Sequence, residues 1–101
     1  MVRHIVLWNF NDSVKEEDKK NIKKGMKENL EALLGKVPGL QEIKFIETSL
    51  EGSTHEFALF TEFDTEEHKR GYSTHPSHVH VANTFVRPFT ADRKCLDYEV
   101  E

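Results

Sequence analysis

Two segments of strand-like composition carry apolar side chains on both parities, and this restricts the fold more than any other feature of the sequence. In Val2–Phe10, Val2, Val6, Trp8 and Phe10 share one parity, while Ile5 and Leu7 hold the other. In His55–Phe63, Phe57, Leu59 and Phe63 face one way, and Ala58 and Phe60 the other. Side chains alternate across a strand, so a sheet made of these segments has hydrocarbon on both faces and needs a cover on each.

The segments between the strands supply one cover. Ser13-Val14-Lys15-Glu16 reads as a capping box opening a long helix, the hydroxyl accepting an early amide while the glutamate reaches back. Ile22, Met26, Leu30 and Leu33 then draw one apolar stripe, as expected of a helix lying on a sheet. Gly35, Pro38 and Gly39 end it. Leu40–Thr48 and His55–Phe63 read as antiparallel strands joined by a turn-rich loop. Asp64-Thr65-Glu66-Glu67 opens a short helix reaching Tyr72, and Pro76 suits the first turn of a second one. Val79, Ala82, Val86 and Phe89 form its apolar face, Pro88 and Thr90-Ala91-Asp92-Arg93 close it, and Lys94–Val100 alternates as a last strand.

The resulting order, βαββαβ with a split second helical region, predicts an α+β ferredoxin-like fold with a four-stranded antiparallel sheet and helices on one face. Residues 1–101 are expected to form one domain. Hydrophobic residues make up 37% of the chain and charged residues 32%, so the core is modest and an uncovered apolar face gains stability from a partner. A homodimer with two sheets face to face supplies the second cover.

With 14 Lys and Arg against 18 Asp and Glu, net −4, the chain does not present the field that gathers nucleic-acid phosphates. Cys95 is the only cysteine, which excludes an intrachain disulfide. The apolar run after Met1 is too short for a signal peptide or a membrane span. The expected setting is therefore the cytoplasm, with neither nucleic acid nor membrane as partner.

The opening Val2-Arg3-His4-Ile5-Val6-Leu7-Trp8-Asn9-Phe10, the Pro38-Gly39 pair, the block Tyr72-Ser73-Thr74-His75-Pro76-Ser77-His78 and the ending Asp97-Tyr98-Glu99-Val100 together resemble the stress-responsive dimeric A/B barrel (Dabb) domain family. The resemblance spans nearly the whole chain and implies a dimeric α/β barrel. It extends more distantly to plant olivetolic acid cyclase, a polyketide cyclase of that family whose pocket lies between sheet and helices. By that resemblance His78 and Tyr72 match a catalytic histidine and tyrosine, and His4 a first-strand histidine. Met26 and Lys27 stand where the cyclase has a further tyrosine.

Chemically, a His78 imidazole can take a proton from carbon beside a carbonyl, and a protonated Tyr72 can hold the carbonyl or the developing enolate. Ligand contacts are expected from His4, Val6, Trp8, Phe57, Leu59, His75 and Val79 around an apolar or carbonyl-containing small molecule. In the alternative, His78, Tyr72 and His4 serve only packing. His75, His78 and His80 do not converge as metal ligands, because His80 lies about 200° round a helix from His78; neither metal nor cofactor is expected. Lys19, Lys20, Lys23, Lys24 and Lys27 interleave with acids and read as a solvated helix face. Two functions remain: a stress-associated dimer with a small-molecule pocket and no turnover, or a cofactor-independent lyase or cyclase.

Overall fold

A computed structural model describes residues 1–100. Strand β1 (Val2–Phe10) leads to helix α1 (Lys19–Glu31), then strands β2 (Leu40–Ile46) and β3 (Phe57–Phe63), helices α2 (Glu66–Thr74) and α3 (Pro76–Val81), and strand β4 (Thr90–Glu99). The sheet order is β2-β3-β1-β4, with antiparallel pairing throughout. The ferredoxin-like topology expected from the βαββαβ pattern is the one observed.

Register shows why both parities are apolar. Val6 pairs with Leu59 and Cys95, and His4 with Thr61 and Asp97, on the face beneath the helices. Ile5 pairs with Phe60 and Leu96 on the opposite face. Met26, Leu30 and Leu33 of the α1 region press on Phe45, Phe57, Leu59 and Phe63, all buried in one cluster. The opposite face leaves Leu96 62% and Ile46 42% exposed, so the helices cover only one of the sheet's two apolar faces. Among the described residues no helix is long and apolar enough to cross a membrane.

Several boundaries differ from expectation. Ser13 does not cap α1: its hydroxyl and amide both bond the Asn11 side-chain oxygen, at 2.6 and 3.1 Å. A short 3-10 turn at Glu16–Asp18 then precedes the helix, which starts at Lys19. A local side-chain acceptor outcompeted the helix for Ser13. The β2–β3 connection is longer than the composition suggested, because β2 ends at Ile46 and β3 begins only at Phe57.

The largest revision concerns Thr90–Arg93, which belong to β4 rather than to a closing polar turn. The β1–β4 register slips between Leu7 and Asn9, leaving Asp92 and Arg93 opposite Trp8, and Asp92 sits at φ 55°. This is a bulge, and aspartate is among the few non-glycine residues that tolerate that backbone. Of the apolar face expected after Pro76, Ala82 and Val86 are buried and Val79 and Phe89 half-buried, with Val81 buried as well; Ala82–Val86 wind as a wide π-type turn rather than continuing α3.

Candidate functional site

Between the helix-side face of the sheet and the α2–α3 arm lies a partly open cavity of about 870 Å³, within the range of small-ligand sites. Its apolar wall includes Val6, Trp8, Leu30, Leu59, Ala82 and Val86, and its polar groups include His4, Tyr72 and His78.

Local sequence positions the key side chains. Thr65 caps α2 by accepting the His68 amide at 3.1 Å. Pro76 occupies the first turn of α3, and the His75 side chain caps that helix by accepting the Ser77 amide at 3.2 Å. The two short helices thereby meet at His75 and bring Tyr72 and His78 together, ring centroids 4.1 Å apart. Tyr72 also contacts Phe63 at 5.2 Å and His4 edge-on at 6.4 Å.

His78 is half-buried, and its Nδ1 meets the Ser73 carbonyl at 3.3 Å. A carbonyl only accepts, so Nδ1 carries the hydrogen and Nε2 keeps its lone pair. Burial is the main cause holding the imidazole below its ordinary pKa; the positive charges of Arg87 and Arg93 add to it, and the Ser73 carbonyl opposes. His78 is thus a neutral base near pH 7. Tyr72 is 3% exposed, and burial raises its hydroxyl far above the ordinary value. That hydroxyl is the one buried side-chain polar atom without a hydrogen-bond partner among the described residues.

His4 is anchored by the Asp97 carboxylate, whose second oxygen accepts from Lys69 at 2.7 Å. Burial pushes Asp97 upward, but the hydrogen bonds from Lys69 and His4 outweigh it and hold the carboxyl below its usual range. The pair ties β1, β4 and α2 together at one edge of the cavity.

Of the expected ligand contacts, His4, Val6, Trp8 and Leu59 line this cavity with Tyr72 and His78, whereas Phe57, His75 and Val79 do not. Phe57 lies farther along the sheet under α1, stacked among Trp8, Phe10 and Phe45. His75 is committed to capping α3. Val79 is half-buried on α3. Sequence reasoning missed the charged rim of Lys69, Arg70, Arg87, Asp92 and Arg93. The alternation of Cys95 and Asp97, continued backward, carries Arg93 onto the same side; assigning Thr90–Arg93 to a turn hid that signal. Among the described residues no three His, Cys, Asp or Glu side chains are grouped to hold a metal ion.

Comparisons with known proteins agree on the architecture. The family model of the stress-responsive A/B barrel domain (Dabb) matches residues 2–100. A dimeric protein of unknown function with a ferredoxin-like fold from Bacteroides fragilis is 34% identical, with TM-score 0.87 over 98% of this chain and 95% of its own. A dimeric ferredoxin-like protein from Thermobifida fusca is 25% identical, with TM-score 0.75 over 98% and 90%. A Dabb-family protein from Mesorhizobium loti, 18% identical, shares the fold with TM-score 0.74 over 99% and 96%. No curated protein matches the chain.

Proposed function

The chain belongs to the stress-responsive A/B barrel (Dabb) family, and from that premise we propose that it works as a homodimer binding a small, mostly apolar, carbonyl-bearing molecule in the His78 cavity. The dimer follows from the uncovered sheet face, where Ile46 and Leu96 stand exposed, and from the dimeric state of the Bacteroides and Thermobifida relatives. Light scattering on the eluting protein is expected to give twice the 11.8 kDa chain mass; a monomer at micromolar concentration removes this part of the reading.

The observation that carries the ligand is the Tyr72 hydroxyl, buried without a partner against the cavity. Such a group costs about 1–3 kcal/mol, and a ligand carbonyl repays it by accepting the hydrogen. Tyr72→Phe is therefore expected to hold or raise stability, by up to about 1–2 kcal/mol, while weakening binding of a probe ketone such as 2-octanone about 10-fold. Urea denaturation and calorimetric titration read the two effects. A destabilised variant with unchanged ketone affinity overturns the assignment.

A second reading is favoured by the tautomer of His78. A neutral imidazole with Nε2 basic, packed against a tyrosine that stays protonated, is the arrangement a cofactor-independent lyase or cyclase needs: His78 as general base, Tyr72 as oxyanion donor. If turnover occurs, exchange of the acidic hydrogens of a 1,3-diketone with deuterium from solvent reports it. The exchange kcat/KM is expected to rise with pH through the depressed His78 pKa and to level off by about pH 7, because only the neutral base acts and its ordinary value is about 6.5. His78→Gln is expected to lower that rate at least about 100-fold. No exchange above solvent background leaves the binding reading alone.

A further inference from the structure

The mouth of the cavity is cationic in a chain whose net charge is −4. Lys69, Arg70, Arg87 and Arg93 line it against the carboxylates of Asp92 and Asp97. Lys69 is committed to Asp97 at 2.7 Å and Arg70 to Glu66 at 2.9 Å. Arg87 and Arg93 differ. Among the described residues neither forms an ion pair, and Arg87 bonds only the neutral Asn83 side-chain oxygen, at 2.5 Å.

The two guanidinium groups reach the mouth from different elements. Arg87 follows the π-type turn after α3, whereas Arg93 is brought in by the β4 bulge opposite Trp8. Both charges bear on the His78 imidazole, and that of Arg93 also bears on Tyr72. Behind them the wall is hydrocarbon. A guanidinium is a planar fork of donors that matches a carboxylate in bidentate fashion, and two of them beside an apolar wall suit a molecule with one charged end.

Building on the binding reading above, we infer that the ligand is an amphipathic carboxylate, its head held by Arg87 and Arg93 and its hydrocarbon body lying on Val6, Trp8 and Leu59. The carboxylate fixes the orientation in which the rest of the molecule meets Tyr72.

Octanoate and 2-octanone, close in length and differing in the charged head, separate this inference from the reading it rests on. In calorimetric titration of the full chain at low salt, octanoate is expected to bind at least about 10-fold more tightly than 2-octanone. The advantage is expected to shrink as salt rises, and the double variant Arg87→Gln/Arg93→Gln is expected to lower octanoate affinity to the ketone's. Both arginines are exposed, and an unchanged melting midpoint confirms that the variant is folded. Equal affinities, or an octanoate preference that survives the double variant, overturn the carboxylate inference while leaving ketone binding and its Tyr72 test in place. Binding of neither probe overturns both.

Discussion

Replacing Phe57 with alanine is expected to destabilise the protein by about 3–5 kcal/mol, the range for removing a buried aromatic ring from a packed core. The ring is 2% exposed and lies 4.8 Å from Phe10, 5.7 Å from Phe45 and 5.9 Å from Trp8, centroid to centroid. Four aromatic groups from three strands meet there, so neighbouring side chains cannot collapse into the space without breaking their own contacts. Against a total stability of about 5–15 kcal/mol for an ordinary domain, the loss is severe. At about 4–8 °C per kcal/mol for a chain of this size, the melting midpoint falls by about 12 °C or more. Differential scanning calorimetry measures it, and a fall of only a few degrees would show that the surrounding aromatic cluster closes over the missing ring.

Gly39→Ala is expected to be the second largest loss, on the order of 2–3 kcal/mol. Gly39 has φ +77°, and a Cβ there would run into the His68 ring and, at 2.5 Å, into the Asp64 carboxylate. Those two groups hold each other across one turn at 2.6 Å, a bond that keeps the Asp64 carboxyl below its ordinary range. The Gly39 carbonyl also accepts the Asp64 amide at 3.0 Å, so the substitution disturbs the entry to α2, which carries Lys69 and Tyr72. Gly35 supplies the control: its φ is +88°, but nothing lies within 4 Å of an added Cβ. Gly35→Ala is expected to lose only the backbone part, about 1 kcal/mol. Equal losses from the two substitutions, in urea denaturation, would show that the contact with His68 and Asp64 is immaterial.

The site was legible to different depths. The parity of His4 with Val6 and Trp8 placed all three under the helices, and register confirms this side. The His75-Pro76 junction announced a fresh helix, and the helix is there with His75 as its cap. That cap turns the His75 Nδ1 to the Ser77 amide, and His75 is not among the residues lining the cavity. Phe57 has the same parity as Leu59, yet only Leu59 reaches the cavity. Parity assigns a face of the sheet but not a position along it, and the span covered by α1 differs from the span covered by α2 and α3.

Alternation and helical periodicity are short-range properties, carried by residues two to four apart, and they are enough to settle the ferredoxin-like order, the helix-covered sheet and the hydrocarbon left on its other side. Contacts between residues distant in the chain follow from packing. The Asp97 bridge to His4 and Lys69, the bulge that aims Arg93 at the cavity, and the solitary hydroxyl of Tyr72 each depend on where two elements finally rest against one another. A bulge displaces one residue and a π-type turn adds one, so each shifts the phase of everything beyond it. Only the folded chain decides where such a slip occurs, because it depends on how elements distant in the sequence come to rest against one another.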